Sequence, residues 1–173
     1  MLKMFTTQLT GLFKRLEEKE EYSFEDGARL LAQAPVGDGS IYIFTTKEMK
    51  AVEFEALEGA EPFSGAKIFN SVEELTESDR VLMFTRYSND ESGLKLAEQL
   101  REKGIPFVAV ATSVPGGELL QESADLLIDL RLTKALLPDD EGNRYGYPSS
   151  MAALFVYYGL KFTIEEILAE YEE

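Results

Sequence analysis

Residues 81–104 read VLMFTRYSNDESGLKLAEQLREKG, and this stretch limits the fold more than any other. An apolar, β-forming run comes first, without polar alternation. A short polar loop follows, and then Leu94, Ala97 and Leu100 recur on one helical face up to Gly104, which suits a left-handed stop. A strand with no polar side is covered on both faces, which is the condition of a parallel sheet between helical layers.

The rest of the chain repeats that arrangement. Apolar runs at 41–44, 66–69, 107–111 and 125–130 give four more strands, the second weaker than the others. Phe5, Leu9, Leu12, Phe13 and Leu16 form the stripe of a first helix. Ser23 opens a second, which Pro35 should stop near Ala34. A buried helix is expected over 151–160 and a separate last one from Thr163. The order is an α/β three-layer sandwich with a five-stranded parallel sheet, in one domain spanning 1–173. Its N-terminal helices (1–34) and C-terminal helices (149–173) should pack on the sheet.

Four connections share one pattern. Thr45, Ser71, Ser88 and Thr163 each stand three residues before a glutamate, the spacing of a capping box, and capping accounts for these hydroxyls better than ligand binding does. The segment 136–148 is long for a connection inside a compact domain. It leads into Arg144, Tyr145, Tyr147, Ser149 and Ser150, a second candidate patch that alternatively covers the sheet edge or an interface.

Charge and residue usage narrow the chemistry. Seventeen basic and thirty-two acidic side chains leave a net charge of -15, which repels nucleic acid and anionic membranes. No run is long and apolar enough for a membrane span or a secretory leader, so the expected location is the cytoplasm. Without cysteine or histidine, thiolate chemistry, the usual zinc sites and Ser-His-Asp triads cannot be built. No cofactor or metal ion is expected, and any acid or base must be Glu, Asp, Lys or Tyr.

Two helices before the first strand, five parallel strands and C-terminal helices after a long loop resemble the sugar isomerase (SIS) domain family, which includes the phosphoheptose isomerases. DRVLMFTRYSNDESGLKLAEQLREKGIPFVAVAT carries the local part, resembling that family's strand, phosphate loop, helix and following strand. The family's Ser-x-Ser-Gly-x-Thr loop falls on Thr85, Arg86, Tyr87, Ser88, Asn89 and Asp90. Tyr87 stands for a serine, Ser88 for the glycine and Asp90 for the threonine.

The resemblance implies a bound sugar phosphate or related carbohydrate derivative, with Thr45, Thr46, Thr85, Arg86, Ser88, Asp90 and Thr112 as the binding residues, and association into a homodimer through the terminal helices. It also implies aldose–ketose isomerisation, for which the family uses a glutamate and a histidine. This chain lacks the histidine, and Glu48, Glu91 and Glu141 are the candidate bases. The other reading is a non-enzymatic scaffold or regulatory homodimer. Arg86 is open between a free guanidinium, an ion pair with Asp90 and a fork for an anion.

Overall fold

The computed structural model describes residues 1–172, so the last residue of the expected C-terminal helix lies outside the described residues. Helices α1 (Leu2–Lys19) and α2 (Glu21–Val36) precede β1 (Ile41–Thr45), and α3 (Lys50–Glu58) leads to the short β2 (Ala66–Ile68). Then come β3 (Arg80–Tyr87), α4 (Glu91–Lys103), β4 (Phe107–Thr112), α5 (Glu118–Ser123) and β5 (Leu126–Asp129). The long connection folds into a small hairpin, β6 (Leu137–Pro138) and β7 (Arg144–Tyr145), before α6 (Ser149–Glu172).

β1 to β5 form one parallel sheet, as the strand pattern predicts, and the fold sets them in the order β2-β1-β3-β4-β5. Their side chains alternate between two cores. Ile41, Ile43, Leu82, Phe84, Val108, Val110 and Ile128 face the layer of α2, α3 and α6, where Leu12 and Leu16 of α1 also pack. Val81, Met83, Phe107, Ala109 and Ala111 face Leu96, Ala97 and Leu100 of α4 and Leu120 of α5. Each fully buried Leu, Ile or Phe contributes about 1.5–3 kcal/mol, so both faces hold the sheet in place. α2 and α6 approach closely through two glycines. A Cβ on Gly27 would meet Leu160 of α6 at 3.3 Å, and one on Gly159 would meet the Phe24 ring of α2 at 2.5 Å.

The helix ends depart from the sequence reading. α6 is one helix, not two, because Ala153, Val156, Tyr157, Leu160 and Ile164 bury a continuous stripe across the expected break. The Thr163 hydroxyl donates back to the Gly159 carbonyl at 2.9 Å and opens nothing. α2 begins at Glu21 and runs through Pro35 to Val36, since burial of Ala32 and Ala34 outweighs the local bias before proline. Its start is set by tertiary structure. Glu20, buried at the α1–α2 junction, accepts two hydrogen bonds from Arg131 at 3.0 and 3.2 Å. Among the described residues, no helix is long and apolar enough to cross a membrane.

The strand order fixes where a ligand can lie. From β1 the chain moves outward to β2, then returns to the other side of β1 to lay down β3. At such a reversal the two connecting loops diverge, and a crevice opens between the carboxyl ends of β1 and β3.

Candidate ligand-binding site

A cleft of about 320 Å³ occupies that crevice, lined by Lys47 after β1, by Arg86 and Tyr87 at the end of β3 and by residues 89–92 beyond it. The threonines at the ends of β3 and β4 turn inward and do not line it. Thr85 is fully buried, and its hydroxyl donates to the Tyr87 carbonyl at 2.9 Å. Thr112 is likewise buried, and its hydroxyl accepts the Leu132 amide at 3.3 Å.

Ser88 does not cap α4. It is buried, its Oγ accepts the Val114 amide at 2.9 Å and donates to the Val114 carbonyl at 3.3 Å. This ties the β3 loop to the β4 loop, and Gly117 lies so close that a Cβ there would stand 2.7 Å from the Ser88 carbonyl carbon. Asp90 takes the capping role, accepting the Gly93 amide at 2.9 Å. The other carboxylate oxygen of Asp90 accepts the Thr46 hydroxyl at 3.4 Å.

The remaining boxes also fail as caps. Thr45 donates to Glu53 at 2.9 Å, across the turn. Ser71 stands at the N-terminal boundary of a single 3₁₀ turn, Val72–Glu74, without a side-chain cap bond. In each case a partner elsewhere in the fold, or a turn too short to need a cap, removes the reason for one.

Glu48 holds Arg86 in a two-bonded fork, Nε to Oε1 at 2.6 Å and Nη2 to Oε2 at 2.7 Å. The Ser149 hydroxyl, at the start of α6, donates to the same Oε1 at 2.7 Å. Arg86 therefore pairs with Glu48, not Asp90. The hydrogen bonds from Arg86, with a further one from Ser149, outweigh burial and hold the Glu48 carboxyl at about 2, while the same pair raises the Arg86 guanidinium. A carboxylate so acidic is a poor acceptor for a carbon-bound proton near neutrality.

A second depression of about 440 Å³ lies on the far side of this pair, lined by Glu48, Arg86, Tyr87, Tyr147, Ser149 and Ser150. Here the long connection reaches the site. Tyr147 is half-buried, donates its hydroxyl to the Leu132 carbonyl and sets its ring edge-on to Tyr87, 6.2 Å between centroids. Burial raises the Tyr147 hydroxyl well above its ordinary range. Arg144 instead donates to the carbonyls of Ala135 and Leu136 inside the hairpin, and Tyr145 is exposed. Glu141 belongs to the hairpin turn, outside the residues lining either depression.

Of the seven residues expected to bind, Arg86 and Asp90 line the cleft and Thr46 stands beside Asp90. Thr45, Thr85, Ser88 and Thr112 engage their hydroxyls within the protein. Asn89 and Ser92 also line the cleft, and the capping-box reading passes over both. A cap placed at Asp90 finds them, because the positions flanking a cap face the crevice. Lys47 is held at φ 52, a left-handed conformation uncommon for a lysine, which projects it from the end of β1. Among the described residues, no group of three or more acidic side chains is placed to hold a metal ion.

Known proteins match this chain at two levels. The uncharacterized protein YwjG of Bacillus subtilis is 48% identical over 172 residues, 99% of each chain. The c3406 protein of E. coli CFT073, solved as a ligand complex, superposes with a TM-score of 0.67 over 95% of this chain and 88% of that one, at 11% identity. A phosphoheptose isomerase from Francisella tularensis gives 0.63 over 95% and 98%, at 12% identity. At such identities the shared property is the fold, that of the sugar isomerase domains. The family described as Domain of unknown function (DUF2529) matches residues 1–168. With its sheet, its crevice and nearly its whole length accounted for, the chain belongs to the DUF2529 family, whose fold here is that of the sugar isomerase domains.

Proposed function

We propose that this protein binds a phosphorylated sugar or a related carbohydrate derivative in the cleft between β1 and β3, as a cytoplasmic binding protein rather than an isomerase. One observation carries the reading: the cleft lies at the reversal of strand order, with Lys47, Arg86, Asn89 and Ser92 around it. Lys47 and Arg86 face the phosphate, and the Asn89 amide and Ser92 hydroxyl meet sugar hydroxyls. Proteins of the same fold with sugar phosphates bound support this choice of ligand. The absence of histidine and the acidity of Glu48 argue against proton transfer between adjacent carbons.

The test is a thermal-shift panel of pentose, hexose and heptose phosphates. A ligand at a hundredfold its Kd adds about 2.7 kcal/mol to stability, a readily measured rise in Tm. Lys47→Glu, at an exposed position, should abolish the rise without lowering the basal Tm. A flat panel would sink the reading.

A second reading, a regulatory homodimer, is favoured by a separate feature. α1, α2 and α6 flank an apolar groove of about 790 Å³ floored by Phe24, Phe155, Tyr158 and Phe162, the last of these 53% exposed. The occupant proposed is a second copy of this chain. Sedimentation should then show a dimer that Phe162→Glu dissociates, and a monomer at all salt concentrations would exclude it.

A further inference from the structure

The cleft does not end at the first turn of α4. Ser92, which lines it, also lines a neighbouring depression of about 290 Å³ at the carboxyl ends of β1 and β2. The two hollows form a bent trough over that turn, and their chemistry differs. The first offers the cations Lys47 and Arg86, the carboxylates Asp90 and Glu91, and polar groups. The second has an aromatic wall, Phe44 and Phe69 in an edge-to-face pair with ring centroids 5.5 Å apart, and it carries the amides of Asn70 and Gln99 together with Lys95.

These groups suit different parts of one ligand. Two partly exposed rings offer an apolar surface to a flat π-system. Primary amides present a donor and an acceptor side by side, the complement of a heteroaromatic base edge and not of an aliphatic chain. Such a wall favours a planar base over a saturated sugar. The sugar ring belongs over Ser92, where the hollows meet, with a phosphate toward Lys47 and Arg86.

We infer that the ligand of this trough is a phosphorylated sugar carrying a heteroaromatic base, of the mononucleotide class. The inference rests on the sugar-phosphate reading of the cleft. It calls for one phosphate, because Asp90 and Glu91 in the first hollow and Glu73 in the second repel a longer polyphosphate chain, and the Glu48 carboxylate already neutralises much of Arg86. A net charge of -15 does not prevent this, since distant surface charges are screened beyond about 10 Å at 0.1 M salt.

Calorimetry on the full chain decides, with AMP, UMP, ribose 5-phosphate and the free nucleosides as probes. At least one mononucleotide should bind about tenfold or more tightly than ribose 5-phosphate, and more tightly than its own nucleoside. Phe69→Leu keeps apolar volume and removes the ring, while Gln99→Ala trims an exposed helical side chain. Either should reduce mononucleotide affinity by about fivefold or more and leave ribose 5-phosphate binding unchanged. Equal affinity for ribose 5-phosphate and both mononucleotides overturns the inference and leaves the sugar-phosphate reading standing. A nucleoside that binds as well as its nucleotide overturns it too, because the phosphate end then contributes nothing. Silence from every probe removes this inference, and silence from the wider sugar-phosphate panel removes the reading beneath it.

Discussion

The loops after β1 and β3 carry the same short pattern, a hydroxyl residue followed three places later by glutamate, and they use it in opposite ways. After β1, Thr45 bonds to Glu53 and Glu48 reaches across the crevice to clamp Arg86. After β3, Ser88 is drawn inward to Val114 while Glu91 stays exposed in the first turn of α4. A local cap is worth about 1 kcal/mol, and a buried or charged partner brought in by the fold competes on equal or better terms. Where such a partner exists, the box dissolves. In the first loop the glutamate gains most from tertiary structure, and in the second the serine does.

The largest effect should come from the Ser88 side. Gly117→Ala places a methyl group against the Ser88 side chain and backbone, and overpacking of this kind should cost about 3 kcal/mol. Urea denaturation measures it. A loss below about 0.5 kcal/mol would mean that the two loops are not tied as described.

Glu48→Gln comes next, at about 2 kcal/mol, because it removes the charge from three hydrogen bonds. The pH dependence has a definite sign. The folded-state value of about 2 lies below the ordinary 4.5, so the stabilisation is complete above about 4.5 and is lost as pH falls toward 2. The wild type should therefore lose more stability than Glu48→Gln over that window. Parallel acid titrations would remove Glu48 from its clamping role.

Asp90→Ala should cost about 1 kcal/mol, the worth of a helix cap. Ser88→Ala would match it only through its bonds to Val114, and hydrogen exchange separates the two: the Gly93 amide should lose protection in Asp90→Ala and keep it in Ser88→Ala. Smallest is Glu91→Gln, expected within about 0.5 kcal/mol, since an exposed first-turn carboxylate contributes only its attraction to the helix dipole. A cost near that of Glu48→Gln would erase the contrast between the loops.

Much of the architecture is legible in the sequence because it depends on periodicity. Runs such as 107–111 have no polar face, so they are sandwiched strands, and Leu94, Ala97 and Leu100 lie three apart, so they cover one. The succession of those elements carries the resemblance to the SIS domains, and the fold sets the order of the strands within the sheet. The site is less legible. Arg86 and Asp90 can be placed at the cleft because loop position is set by the strands, whereas the buried states of Thr85, Ser88 and Thr112 depend on which neighbours press on them. The break expected in α6 fails for a related reason: Thr163 has cap chemistry, but the helix is held by a stripe packed on α2 and the sheet.

Residue pattern by itself determined the five strands of the parallel sheet, the burial of β3 and β4 on both faces and the alternation with helices, since those follow from side chains a few places apart. The tertiary structure alone decided what the polar residues between them do. Glu48 finds Arg86 at a separation of 38 residues and Ser149 at 101, and Ser88 finds Val114 at 26. Bonds over such distances form only after the sheet has brought the loops together, and by then they outweigh the local caps that the same residues would otherwise make.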